Sequence, residues 1–166
     1  MTAARHKRKR YCAVGLIVAA LALTFSAGLP ASRAAVTEAV VVDWNTGLAI
    51  GGYDPVAYFT DGKQIAGKAE LELSYGGVIW RFCNVGNRAA FASRPDIYMP
   101  KFGGYDPLGV AQGVAVAGKP EVWLISEERL YLFYDRARLE KFAADFDRYA
   151  AEAERKWPSV LGTLSP

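Results

Sequence analysis

The chain has 166 residues, and its formal charge of +3 comes from one end: residues 1–34 hold six of the twenty Lys and Arg and none of the seventeen acids. The rest is mildly acidic and lacks the basic footprint that nucleic-acid binding needs. The only histidine, His6, lies in the same end segment, which leaves the body without imidazole catalysis, the usual serine and cysteine triads, or His-ligated metal.

In chain order, Arg5 to Arg10 form a basic run, Cys12 to Leu29 an apolar run, and Ser32-Arg33-Ala34 puts small residues where a signal peptidase inspects. This predicts a signal peptide over 1–34, cleaved after Ala34, a periplasmic or secreted location, and no membrane attachment afterwards. The alternative is a retained anchor helix, since roughly eighteen apolar residues can just span a bilayer. Cys12 would leave with the leader, so Cys83 is the one thiol of the mature chain and no internal disulfide can form. Residues 35–44 read as a linker or edge strand.

An internal repeat organises the body of the chain. Gly51-Gly52-Tyr53-Asp54-Pro55 returns as Gly103-Gly104-Tyr105-Asp106-Pro107, and from Ala66 a shift of 51 residues aligns Ala66-Gly67-Lys68 with Ala117-Gly118-Lys119, Phe82 with Phe133, Phe91 with Phe142 and Tyr98 with Tyr149. Such a period marks a duplicated supersecondary unit, here 51–98 and 103–149. Asp before Pro predicts a short capped helix in each, over 55–59 and 107–112. Two strands about a tight turn come next, 70–75 with 78–83 and 121–126 with 129–134. Gly76-Gly77 suits a hairpin turn, whereas Glu127-Glu128 points to a longer loop or another turn type. Asn84 and Asp135 then cap helices. The first, 85–93, ends before Pro95, and the second carries a helical apolar period from Arg136 to Lys156, with Trp157-Pro158 as its stop and 159–166 as a loose tail. The expected fold is α+β: two tandem loop-hairpin-helix units forming one antiparallel sheet with the helices packed on one face.

The segment Gly77-Val78-Ile79-Trp80-Arg81-Phe82-Cys83-Asn84, followed by Phe91, Pro95 and Tyr98, resembles the YHS domain family, and with the two Gly-Gly-Tyr-Asp-Pro loops it resembles that family's exported bacterial branch. The resemblance covers about residues 45–158. It implies heavy-metal association through cysteines, as in intracellular relatives. Here the residue after Asp54-Pro55-Val56 is Ala57 and the fourth after Cys83 is Asn87, both cysteines in the metal-linked relatives, and Asp106 stands where exported relatives carry another.

The sequence offers two candidate sites. Cys83 is read as a small core residue or, with Met99, as a soft thiolate–thioether pair for a metal ion such as copper. Tyr53, Asp54, Tyr105 and Asp106 are read as the mouth of a ligand site between the repeated loops, if a pseudo-twofold axis makes the aspartates face each other; otherwise they are helix caps and aromatic pillars. Asn caps about as well as Asp, so Asp54→Asn and Asp106→Asn are expected to leave stability nearly unchanged. Lys101 and Arg88 offer charge to an anionic ligand. The resulting expectation is a binding module for a small ligand or metal ion. The alternatives are an enzyme using Asp54 and Asp106, or a module that meets another envelope protein through exposed aromatics.

Overall fold

The computed structural model describes residues 39–164; the expected leader and residues 35–38 lie outside the described residues. The same order of elements runs through it twice. A 3-10 turn at Ile50–Gly52 leads to α1 (Ala57–Thr60), the hairpin β1 (Lys68–Tyr75) and β2 (Val78–Phe82), then α2 (Val85–Ser93) and α3 (Pro95–Tyr98). A second 3-10 turn at Lys101–Gly104 leads to α4 (Pro107–Ala111), β3 (Lys119–Ser126), β4 (Arg129–Phe133), α5 (Arg136–Ala144) and α6 (Phe146–Leu164). The class is α+β, with helices packed on antiparallel hairpins.

Equivalence reaches single bonds. Tyr53 bridges Ala66 as Tyr105 bridges Ala117, and both hairpins carry a bulge at the same place, after Lys68 and after Lys119. Gly67 and Gly118 explain why that stretch repeats: a Cβ on Gly67 would stand 2.4 Å from the Arg81 Cβ, and one on Gly118 2.7 Å from the Gly104 carbonyl oxygen.

The single four-stranded sheet expected from the sequence is replaced by two two-stranded sheets. The outer edge of β2 is already taken, because Ala49 donates its N–H to the Ile79 carbonyl at 2.9 Å. A covered edge cannot pair with another strand. The hairpins meet instead face to back. Trp123, Ile125, Leu130 and Leu132 share the outward face of the second hairpin and pack into the core of the first copy, against Trp80, Phe82, Phe91 and Tyr58. Tyr58 donates its hydroxyl to the Pro120 carbonyl at 3.0 Å and sets its ring edge-on to Trp123. The equivalent face of the first hairpin carries Glu72, Ser74, Ile79 and Arg81, with Glu72 and Arg81 ion-paired at 2.8 Å and Ile79 41% exposed. The contact is therefore not reciprocal. The copies stack head to tail, and no twofold axis relates them. β4 is buried on both faces, with Leu130 and Leu132 in the first core and Tyr131 and Phe133 in the second.

The last helix departs from expectation in its middle and at its C-terminal end. Its regular period hides a break at Asp145 (φ −148°, ψ 58°), the repeat of the break at Arg94 (φ −145°, ψ 64°). Pro95 announces the first break, and no proline announces the second. Pro158 lies inside α6, which runs on to Leu164. Trp157 before it and Val160 and Leu164 beyond it keep the helical spacing and pack into the second core, and that burial outweighs one lost backbone hydrogen bond.

The second hairpin turn also differs: Glu127 and Glu128 form a two-residue turn with φ of 50° and 56°, matching Gly76 and Gly77 at 63° and 80°. Register set by packing forces left-handed backbone on residues that resist it. Glu127→Asn with Glu128→Gly is expected to stabilise the chain by about 1–2 kcal/mol, read as a higher midpoint in urea with an unchanged slope.

Candidate functional site

Asp54 and Asp106 do more than cap. Both are fully buried. In the first copy, Asp54 Oδ1 accepts the N–H groups of Val56 (2.8 Å) and Ala57 (3.3 Å), and Oδ2 accepts the Cys83 N–H (2.9 Å) and the Asn87 Nδ2–H (2.7 Å). In the second, Asp106 Oδ1 accepts the Gly109 N–H (3.0 Å) and Arg138 Nη2 (3.1 Å), and Oδ2 accepts the Tyr134 N–H (2.9 Å) and Arg138 Nε (2.8 Å). Each carboxylate thus ties the start of a short helix to the end of a strand and to the helix beyond it.

The shift of 51 residues makes Asn87 the counterpart of Arg138, and Cys83 the counterpart of Tyr134. The chemical difference is large. Asp106 is neutralised by a bidentate guanidinium, the strongest match a carboxylate finds, and that bond holds the Arg138 pKa above its ordinary value. Asp54 has an amide in the same place, so its charge is buried with hydrogen bonds but no cation. Beside it stands Cys83, half-buried, whose Sγ receives the Nδ2–H groups of Asn84 (3.3 Å) and Asn87 (3.5 Å). Burial, and then the hydrogen bond and charge of Asp54, push the thiol pKa up. At neutral pH this is a protonated thiol rather than a ready thiolate.

The structure separates the residues of both sites expected from the sequence. Met99 packs against the first core and lines another pocket, with Arg129 and Trp157, while the Cys83 sulfur faces the two asparagine amides. Among the described residues no group of three or more His, Cys, Asp and Glu side chains converges as a metal site would. The two glycine loops do lie side by side, but Val41 is threaded between them: its N–H donates to the Gly103 carbonyl (2.8 Å) and its carbonyl accepts from Ile50 (3.0 Å). Tyr53 is half-buried against the first core, and Tyr105 is 8% exposed in the second, its ring near Trp157. Arg88 lines a shallow groove with Leu73 and Val85, and Lys101 pairs with Glu154.

Asn84, Asn87 and Arg138 were outside the candidates drawn from the sequence. The signal that reaches them is the repeat itself, because aligning the copies at 51 residues isolates positions where matched backbones carry unlike chemistry. No helix among the described residues is long and apolar enough to cross a membrane. Comparison of the chain with protein-family models, curated proteins and solved structures gives no match in any of the three.

Proposed function

We propose that the chain is an exported binding module whose site is the Cys83 corner of the first copy, where a small ligand or a soft metal ion such as Cu(I) enters. One observation carries this reading: the copy with the thiol is the copy whose buried aspartate lacks a cation. A buried carboxylate without a counter-charge favours a cation brought from outside, and a thiol is the soft donor that Cu(I) selects. The two positions where YHS-like metal binders carry further cysteines, Ala57 and Asn87, both donate to Asp54. With Cys83 as the single sulfur at this corner, binding is expected to be weaker than at a polycysteine site.

Alkylation of Cys83 tests the proposal. Because the folded-state thiol pKa is raised, the reaction of the native chain with iodoacetamide should be slow at pH 7 and should accelerate only above the ordinary cysteine range. Cu(I) should slow it further at a pH where it is measurable. Asn87→Arg gives the first copy the second copy's internal cation and should remove that protection while leaving the thiol present. Equal protection in Asn87→Arg, or none in the native chain, would count against the proposal.

A further inference from the structure

The outer edge of β1 is open. The two-residue turn at Gly76-Gly77 makes Tyr75–Val78 and Leu73–Trp80 the pairs that exchange hydrogen bonds across the hairpin, so Glu72 and Ser74 turn their N–H and C=O groups outward. The same alternation turns the Ile79 carbonyl outward on β2, where Ala49 takes it at 2.9 Å. Among the described residues no backbone group does this for Glu72 or Ser74. Such an edge is a template for another strand.

Between β1 and α2 runs a groove of about 250 Å³ lined by Leu73, Val85, Arg88, Ala89 and Ala92. No β2 residue lines it, which puts it on the open side of β1. In the second copy the place of Arg88 is held by Leu139, which packs against the second core, and that of Ala89 by Glu140. The first copy therefore has a low apolar wall, with Val85 69% exposed, where the second has a filled one. Arg88 is the single charge of the lining, is exposed, and has no ion pair or side-chain hydrogen bond among the described residues. Glu72 points its carboxylate to the opposite face, where Arg81 holds it, and leaves Arg88 unanswered.

We infer that this edge and groove bind an extended peptide segment by strand addition. Its backbone pairs with Glu72 and Ser74, and alternate side chains drop into the groove, apolar ones against Leu73, Val85 and Ala89 and an acidic one on the Arg88 guanidinium. The open edge calls for a backbone partner, and the unanswered cation for an acid on the partner's inward face. The surface uses neither Cys83 nor Asp54.

A capped peptide of alternating valine and threonine, with glutamate in place of one valine, is the probe for the purified chain, read by fluorescence anisotropy. Saturable binding is expected, weaker when glutamine replaces the glutamate. An added strand bonds β1 through every second residue. Methylating one alternate set of the peptide's backbone nitrogens should therefore abolish binding, and methylating the other set should spare it. Ser74→Pro removes an outward N–H without touching the β1–β2 ladder and should weaken binding about tenfold or more. Arg88→Gln should erase the preference for the glutamate peptide over the glutamine one.

Thermal unfolding checks that both variants are folded, and if Ser74→Pro is not, the methylated peptides on the native chain decide. No saturable binding, the same response to both methylated sets, full binding by a folded Ser74→Pro, or octanoate bound as tightly as the peptide would each overturn the assignment. A dimer that Ser74→Pro dissolves, with no peptide binding, would also overturn it and give the edge to a second copy.

Discussion

Replacing Trp123 by Glu and Leu132 by Arg, which writes the outer-face pair of the first hairpin into the second, is expected to abolish cooperative folding. The pair would have to sit in the first core, among Trp80, Phe82 and Phe91. Truncating either residue to alanine already costs about 3 kcal/mol from lost burial and the cavity left behind, and a buried ion pair adds a desolvation penalty of several kcal/mol per ion. That exceeds much of the roughly 5–15 kcal/mol a domain has. The reverse exchange, Glu72→Trp with Arg81→Leu, removes a half-exposed ion pair and should change stability by only about 1 kcal/mol. Urea unfolding of both double variants checks the asymmetry. A twofold arrangement of the copies would make the two exchanges equally harmful.

Asp54→Asn and Asp106→Asn are each expected to cost about 3 kcal/mol, against the near-neutrality that capping alone implies. Four donors converge on each carboxylate. An asparagine offers one accepting oxygen, and its amide N–H groups would point at donors, leaving at least one buried N–H unpaired. In the second copy the substitution also strips Arg138 of its counter-charge. Arg138→Asn recreates the first copy's pairing there, yet leaves Asp106 charged without a partner evolved around it, and should cost roughly 2–3 kcal/mol. Denaturant midpoints of the three variants measure this. Losses below about 1 kcal/mol would return the aspartates to the role of simple caps.

Much of the fold was legible because each copy restates the other. Local signals, Asp-Pro caps, alternating strands and the Asn84 and Asp135 caps, are written in residues within a few positions of the elements they set. What the sequence hid was long-range. Glu127 and Glu128 take a turn their own preferences oppose, because the register is fixed by Leu130 and Leu132 beneath the first copy. The stacking itself was encoded, in Trp123, Ile125, Leu130 and Leu132 set against Glu72, Ser74, Ile79 and Arg81, and becomes visible only when the copies are compared position by position for polarity rather than identity. The candidate site was half legible for the same reason. Cys83 and Asp54 stand out by residue type, whereas the missing counter-charge shows only when Asn87 is set opposite Arg138.

A face-to-back contact between like units has no built-in end, since the surface that receives one unit differs from the surface that is offered, and repetition of the step makes a fibre. Here both ends are closed by different means. The outer face of the first hairpin is made unattractive by the Glu72–Arg81 pair and Ser74. At the other end α6, nineteen residues long where α3 has four, adds Ala153, Trp157 and Val160 to the second core, as the second hairpin adds Leu130 and Leu132 to the first. The extension of one helix thus acts as a terminator, and an open-ended polymer would require both α6 shortened ahead of Ala153 and an apolar outer face on the first hairpin.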